Sequence, residues 1–180
     1  ELRRQFASRT PERRYLAIVA GLMETDAGEI RSHLTTDDEL QRHSTDDPEA
    51  GELAITRFEV VRKLHDTTLV RVELETGRRN QIRVHFAEAQ HPVLGDTRYR
   101  PDLWKEIPWA HKRFALHAST LGFTHPISSE PMRFISPLPA EITNFIKFSK
   151  RLDKVIRNDL RAPRSDAAKA GAKDRMKKRR

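Results

Sequence analysis

The sequence predicts a single α+β domain, built from antiparallel strand pairs with a few short helices packed on them. Residues 55–64 and 68–75 are predicted as a β-hairpin that turns at His65-Asp66, because the second segment alternates apolar and charged side chains. After Gly77 the apolar spacing changes to the helical period. Strands that come in pairs, with helices between the pairs, are typical of an α+β domain.

Four further strands are predicted from runs of apolar and β-branched residues. They cover residues 14–20, 29–34, 115–123 and 132–135. The first run ends at Gly21, and the second begins after Gly28. The last two runs lie on either side of a turn at His125-Pro126.

Two helices are predicted. The first begins after Gly77 and has Ile82, Phe86 and Ala89 on one face. It ends before a His-Pro pair, because proline cannot continue a helix. The second helix covers residues 140–152, where apolar side chains again recur on one face.

The chain has a net charge of +8, and this charge is unevenly distributed along the sequence. Residues 161–180 contain nine Lys or Arg and two Asp and are predicted as a disordered basic tail. Residues 35–52 contain seven acidic residues and one Arg and are predicted as an acidic surface loop. We therefore expect one folded domain, residues 1–160, followed by the tail. The basic tail favours a polyanionic partner, since fixed cations neutralise a polyanion.

The composition excludes several kinds of site. The chain has no cysteine, so neither a disulfide framework nor a thiolate zinc site is possible. The histidines have no spacing typical of metal ligands, and we expect no metal. No run of about 18 apolar residues occurs, so no membrane-spanning helix is expected. The lack of cysteine is compatible with a reducing cytoplasm.

The most informative stretch of the chain runs from residue 76 to residue 99. It contains Thr-Gly-Arg-Arg-Asn-Gln-Ile-Arg-Val-His at residues 76–85 and His-Pro-Val-Leu-Gly-Asp-Thr-Arg-Tyr at residues 91–99. The stretch joins a strand end, a glycine turn, the start of a basic helix and a second turn. It closely resembles the third conserved motif of the RluA-like pseudouridine synthases.

Four other segments follow one another in the order expected for that family. They are Tyr-x-Ala-x-Val-x-Gly at residues 15–21, Ala-Ile-Thr at residues 54–56, Leu-His-Ala-x-x-Leu-x-Phe-x-His-Pro at residues 116–126 and Pro-x-Pro at residues 137–139. The resemblance spans roughly residues 13–148. The chain departs from the family pattern at Arg79-Asn80, where Thr-His or Ser-His is more usual, and at Gln90, where glycine is common.

The resemblance implies a mixed, mostly antiparallel sheet flanked by short helices. It also implies an enzyme that isomerises uridine to pseudouridine in ribosomal or transfer RNA, without cofactor or metal. The reaction breaks the bond from C1′ to N1, turns the base and joins C1′ to C5. The uridine must leave its stack, so the site needs a stacking ring, an apolar wall and a cation beside the nucleophilic carboxylate. A cytoplasmic monomer is expected.

By resemblance, Tyr15 and Arg83 are the catalytic residues present in this chain. Tyr15 supplies the stacking ring and is a candidate base for removal of the C5 proton. Arg83 would keep the nucleophilic aspartate ionised, because a neighbouring cation lowers the pKa of a carboxylate. Ile82 would form the apolar wall. The alternative interpretations are a core tyrosine and a solvated arginine.

The other substrate-binding residues are expected around the start of the first predicted helix. Arg78 and Arg79 follow a glycine turn, where side-chain charge and backbone N–H groups meet RNA phosphates together. Solvated charge is the alternative interpretation for both. Asn80, Gln81 and His85 complete the expected set, and a structural role is the alternative for His85.

The family's nucleophilic aspartate lies in a His-Arg-Leu-Asp segment that this chain does not contain. We therefore expect the chain to be the C-terminal part of the catalytic domain, incomplete at its N-terminus and inactive alone. Asp153 follows Arg-Leu, but it comes after the motif that it should precede, and Asp96 lies in a turn. Neither is expected to be the nucleophile. A noncatalytic RNA-binding module and a basic ribosome-associated protein that shares only the fold remain alternatives.

Overall fold

The computed structural model describes residues 1–8 and 10–161, with side chains described as far as residue 153. The strands of the described part are β1 Glu12–Ala20, β2 Ala27–Thr36, β3 Arg42–Thr45, β4 Glu52–Lys63, β5 Thr67–Leu74, β6 Leu116–Thr124 and β7 Pro131–Ile135. The helices are α1 Leu2–Ala7, α2 Gln81–Glu88 and α3 Ala140–Arg161, with a 3₁₀ turn at Pro101–Leu103. Apart from Arg161, the predicted basic tail lies outside the described residues.

All the described strands belong to one sheet with the order β3-β2-β4-β5-β1-β6-β7, and every described pairing is antiparallel. The predicted hairpin is β4 and β5, and their paired segments run from Thr56 opposite Leu74 to Lys63 opposite Thr68. The strand β1 lies between β5 and β6, and residues 17–20 at its end are fully buried. This arrangement confirms the predicted α+β fold.

The helix α2 packs on the sheet through its apolar face. Ile82 and Phe86 are buried in the main hydrophobic core, and the ring of Phe86 meets that of Phe58 edge-on with 5.8 Å between centroids. The burial of these side chains explains why a helix of only eight residues is stable here, since packing rather than propensity holds short helices. Ala89, which was predicted on the same face, instead follows the last helical residue and is exposed.

A short segment after α2 lies against the end of β1 and fixes the connection to β6. The amide of Leu94 donates to the carbonyl of Ile18 at 3.0 Å, and the amide of Ala115 donates to the carbonyl of Leu94 at 2.8 Å. Gly95 follows with a φ of +83°, and a Cβ there would lie 2.6 Å from the carbonyl oxygen of Arg113. The position therefore requires glycine, both for its backbone conformation and for this close approach.

The predicted loop at residues 35–52 is only partly a loop. It contains β3, which pairs with β2 and forms an edge of the sheet. Arg42, the one cation of this acidic stretch, is buried and donates hydrogen bonds to Glu52 at 2.9 Å and to Thr36 Oγ1 at 3.1 Å. Polarity alone predicted a loop, because a four-residue edge strand with polar side chains has no apolar alternation to reveal it.

Two helices differ from the sequence expectation at the ends of the described chain. The helix α1 was not predicted, and it is fixed by Gln5, whose side-chain amide donates to the carbonyl of Thr124 at 2.8 Å and accepts from its N–H at 2.9 Å. Gln5 thus occupies the hydrogen-bonding groups at the end of β6. The helix α3 extends to Arg161, beyond the predicted end at residue 152.

Candidate active site

A cavity of about 280 Å³ opens where β1 and β5 meet the start of α2. It is lined by Tyr15, Leu74, Arg78, Asn80, Gln81, Ile82, Arg83, Phe114 and Leu116. Six of these are residues that the sequence predicted for catalysis or substrate binding. The predicted residues Arg79 and His85 are not part of the lining.

Arg83 is held in the cavity wall by a two-point ion pair. Its Nε donates to Asp96 Oδ2 at 2.6 Å, its Nη2 donates to Asp96 Oδ1 at 2.8 Å, and its Nη1 donates to Asn80 Oδ1 at 3.1 Å. The guanidinium also lies near two rings, 4.8 Å from the centroid of Tyr99 and 4.2 Å from that of Phe114. Such contacts fix both the position and the plane of the cation.

The carboxylate of Asp96 is completely buried, and its oxygens are also used by the backbone. Oδ1 accepts hydrogen bonds from the amides of Arg98 at 3.0 Å and Tyr99 at 3.1 Å. The hydrogen bonds of Asp96 therefore hold Arg83 in place and stabilise the turn after Gly95. This geometry agrees with the expectation that Asp96 is not the nucleophile.

The guanidinium of Arg83 retains hydrogen-bonding capacity toward the cavity. An arginine carries five N–H groups, and three of them are used by the two described partners. The side chain is 14% exposed, and it lines the cavity. A second carboxylate that entered the cavity would meet a cation already fixed in orientation.

Asn80 joins Arg83 to a buried tyrosine. Its backbone is in the left-handed region, with φ 59° and ψ 12°, which asparagine adopts more readily than most residues. Its Nδ2 lies 3.3 Å from the hydroxyl of Tyr99, while its Oδ1 accepts from Arg83. The departure from the family pattern at this position thus gives a neutral amide that supports the arginine.

The two arginines at the turn before α2 have different surroundings. Arg78 donates from Nε to the carbonyl of Leu53 at 3.1 Å and pairs through Nη1 with Glu52 at 2.8 Å. It lines the cavity and is 30% exposed. Arg79 is exposed and points away from the lining, with Nη2 donating to the carbonyl of Leu40 at 3.3 Å.

Gln81 lines the cavity but is almost fully buried, and its side chain fixes the turn around it. Its Oε1 accepts from Thr76 Oγ1 at 2.8 Å and from the amide of Arg78 at 2.9 Å. Its Nε2 donates to the carbonyl of Ile55 and to Thr56 Oγ1, both at 2.9 Å. These four hydrogen bonds use all of the amide's main bonding positions, so Gln81 has a positioning role.

His85 was expected to contact RNA, and its complete burial in the structure contradicts this expectation. His85 is completely buried on the sheet side of α2, with Nε2 3.0 Å from Ser32 Oγ and Nδ1 2.9 Å from Thr56 Oγ1. Burial lowers its pKa from the ordinary value of 6.5 to about 4, because desolvation disfavours the charged imidazolium. The side chain is a neutral part of a buried polar network and has no surface for a ligand.

Tyr15 and Ile82 form the apolar side of the cavity together with residues that the sequence analysis missed. Tyr15 lies in β1, where its strand partners are Val72 and Ala118. Ile82 is buried under the cavity at the first turn of α2. Phe114, beside Arg83, was missed because it precedes a predicted strand and belongs to no recognised motif segment.

Asp153 lies far from the cavity. It is placed on α3, with Oδ1 3.4 Å from Nδ1 of His65 at the turn between β4 and β5. The cavity includes Leu74, at the opposite end of β5, and an eight-residue strand of this kind is about 23 Å long. Asp153 is therefore not placed to act in the cavity of this structure.

Within the described residues, no group of three His, Asp or Glu side chains is arranged to hold a metal ion. No helix in the same part of the chain is long and apolar enough to cross a membrane.

The chain is similar to known proteins over most of its length. A family model described as RNA pseudouridylate synthase matches residues 1–88. The chain is 38% identical over 143 residues to the Bacillus subtilis (strain 168) protein named "Uncharacterized RNA pseudouridine synthase YlyB", covering 79% of this chain and 46% of that protein. It is 38% identical over 138 residues to the dual-specificity RNA pseudouridine synthase RluA of Pasteurella multocida (strain Pm70), covering 76% of this chain and 62% of that one.

A solved structure has the same fold. The structure of Human RNA Pseudouridylate Synthase Domain Containing 1 superposes with a TM-score of 0.65 and 24% identity, covering 76% of this chain and 58% of that chain. The chain spans between 46% and 62% of the length of the two curated relatives named above. The family match and these curated relatives support an RluA-like RNA pseudouridine synthase, and the solved structure shows the shared fold.

Proposed function

We propose that the chain is the C-terminal part of the catalytic domain of an RNA pseudouridine synthase, which isomerises uridine to pseudouridine in ribosomal or transfer RNA. The observation that carries this proposal is the cavity in which Tyr15, Ile82 and Arg83 meet. A flipped pyrimidine needs a ring to stack on and an apolar wall, and the nucleophilic carboxylate needs a cation beside it. The three side chains provide one of each.

Arg83 is proposed to bind a nucleophilic carboxylate that a segment outside this chain supplies. Its remaining N–H groups would keep that carboxylate ionised and oriented, because an arginine does not lose its proton. Asp96 and Asn80 support this role by holding the guanidinium before any carboxylate arrives. The fixed geometry reduces the reorganisation that catalysis would otherwise require.

Tyr15 is proposed to act on the base. Its ring would stack against the uracil while the base turns between the breaking of the bond to N1 and the formation of the bond to C5. The hydroxyl is then a candidate acceptor for the C5 proton. Ile82 would limit the space beneath the base, which keeps the turning base close to C1′.

Substrate binding is proposed to involve Arg78, Arg79 and Asn80. Arg78 and Asn80 line the cavity, whereas Arg79 is not part of the lining and donates to the carbonyl of Leu40. The exposed Arg79 and the partly exposed Arg78 would neutralise phosphates of the RNA strand. The proposal further includes a basic tail at residues 161–180, a cytoplasmic location and a monomeric state.

A second candidate function is a noncatalytic RNA-binding module. It is favoured by one observation, since the described residues that line the cavity include no carboxylate. Both candidates require RNA binding, and they differ in whether the bond to N1 is broken.

The release of tritium from C5-labelled uridine in ribosomal RNA separates the two candidates. We expect the chain alone to bind RNA without releasing tritium, and a longer natural protein that includes the nucleophile segment to release it. In that longer protein Arg83→Lys removes the two-point pairing and should abolish most of the release. Arg57→Lys, at an exposed position paired with Glu29 and Glu75, is the matched control and should leave release unchanged. RNA binding by the longer protein without release would favour the noncatalytic module.

A further inference from the structure

Arg13 is a half-buried arginine without a carboxylate partner among the described residues. Its Nη2 lies 3.4 Å from the carbonyl oxygen of Leu74 and 3.5 Å from that of Glu75, at the long limit for a hydrogen bond. Its Nε is buried and has no hydrogen-bond partner. A partly buried cation with such weak contacts costs free energy, and buried polar atoms without partners call for a specific explanation.

The guanidinium of Arg13 lies at the edge of the candidate active site. Arg13 precedes Tyr15 by two residues on β1, and side chains two apart in a strand project from the same face. Leu74, whose carbonyl is its nearest acceptor, lines the cavity. Arg13 is therefore adjacent to the cavity without being part of its lining.

Gly77 leaves the space that this guanidinium occupies. A Cβ added at Gly77 would collide with Nη1 of Arg13. The φ of Gly77 lies outside the left-handed region, so the absence of a side chain matters here for space rather than for backbone conformation. The turn before α2 and the side chain of Arg13 thus fit each other.

The neighbouring arginine on the same strand has carboxylates beside it, although its buried Nε also makes no hydrogen bond of good geometry. Arg14 projects from the opposite face of β1, and its Nε lies 2.7 Å from Glu73 and 3.1 Å from Glu12. Two carboxylates compensate its charge, whereas no carboxylate of the described residues pairs with Arg13. The difference leaves Arg13 as a half-buried cation with unused hydrogen-bonding capacity beside the cavity.

We propose that Arg13 binds a phosphodiester of the RNA strand beside the uridine that enters the cavity. This inference rests on the proposed function. Arginine presents a planar fork of N–H groups that matches phosphate oxygens, and a nucleotide cannot place its base in the cavity without bringing its backbone to the cavity edge. The half-buried position would strengthen the contact, since water screens it less than it screens a surface pair.

The test compares two substitutions that remove the same charge from adjacent positions. Arg13→Gln and Arg14→Gln are made in the chain as it stands, and binding to a uridine-containing single-stranded RNA is measured across a range of salt concentrations. We expect Arg13→Gln to weaken binding several-fold at low salt and to reduce the slope of log K against log salt by roughly 0.7, the value for one phosphate contact. Arg14→Gln should leave the slope unchanged.

Gly77→Ala provides an independent variant. The added Cβ displaces the end of a flexible side chain while the charge of the protein stays the same. We expect it to reproduce the loss seen with Arg13→Gln, and thermal unfolding followed by circular dichroism confirms that both variants are folded.

Equal slopes for Arg13→Gln, Arg14→Gln and the unchanged chain would overturn the inference while leaving the proposed function intact. That result is also expected if the partner of Arg13 is a carboxylate from another segment of a longer protein. An unchanged chain that binds no RNA at all would overturn the proposed function together with the inference.

Discussion

Asp96 holds Arg83 through two hydrogen bonds, 2.6 Å and 2.8 Å long, inside the wall of the cavity. The carboxylate is completely buried, and the arginine is 14% exposed. Removal of one partner from a buried pair leaves an uncompensated charge, which is more costly than the loss of an exposed pair.

Asp96→Asn tests this pair. The amide keeps the shape of the carboxylate but removes its charge, and we expect the free energy of unfolding in urea to fall by about 3 kcal/mol. The matched control is Asp102→Asn, because Asp102 pairs with Arg100 at an exposed position. That substitution should leave the unfolding midpoint unchanged. Equal effects of the two substitutions would contradict the assignment of a structural ion pair to Asp96.

The burial of His85 should make the free energy of unfolding depend on pH. Its pKa is about 4 in the folded protein and 6.5 in its ordinary state, so between these values the unfolded chain binds a proton that the folded chain does not. Stability should therefore be fully present above pH 6.5 and should fall by roughly 3 kcal/mol as the pH decreases to 4. Urea unfolding at several pH values measures this change.

The variant His85→Gln identifies the group responsible. Glutamine retains hydrogen-bonding atoms near Ser32 and Thr56 but has no proton to gain, so this part of the pH dependence should be lost. His111→Gln, at an exposed position, controls for the removal of an imidazole. A pH dependence that survives in His85→Gln would show that another group causes it.

Phe114 is expected to contribute to catalysis through Arg83. Phe114→Leu keeps an apolar wall but removes the ring 4.2 Å from the guanidinium carbon, and cation–π contacts of this kind contribute about 1 kcal/mol. Tritium release by the longer protein should then fall roughly five-fold in kcat/KM. Phe114→Tyr retains the ring and should stay close to the unchanged protein. A loss of the same size in both variants would indicate a requirement for shape instead.

Gly95→Ala should destabilise the fold at the connection between α2 and β6. The substitution places a side chain at a φ of +83° and brings its Cβ within 2.7 Å of Trp109 Nε1. We expect a loss of about 2 kcal/mol or more in the free energy of unfolding. Gly122→Ala is the control within β6, because a Cβ there would meet Glu12 at 3.1 Å without an unusual φ. Its effect should be clearly smaller.

Local periodicity was sufficient to predict the hairpin β4–β5 and the helix α2, because each buries one regularly spaced face. It was insufficient for β3, whose side chains are polar and whose order depends on pairing with β2. The pairing of Arg83 with Asp96 also lay beyond local pattern. The two residues are 13 positions apart, and they meet only because the segment around Leu94 packs against β1.

For the site residues, too, the local pattern predicted some features and tertiary packing determined the others. The motif placed Arg78, Asn80, Gln81, Ile82 and Arg83 together on one turn, and the structure brings all five to the cavity. A sequence pattern does not distinguish a side chain that faces the cavity from one that faces the sheet. His85 therefore had to be corrected by its burial, which only the packing of α2 on the sheet determines.

Glu52 is shared between two arginines, since Oε2 pairs with Arg42 and Oε1 with Arg78. Arg42 is buried and begins β3, and Arg78 lines the cavity. The carboxylate of Glu52 thus joins the acidic segment at residues 35–52 to one residue of the cavity lining. We expect changes in the length or sequence of residues 35–52 to shift Arg78, so that this segment would adjust the shape of the cavity while Tyr15, Ile82 and Arg83 keep their identities.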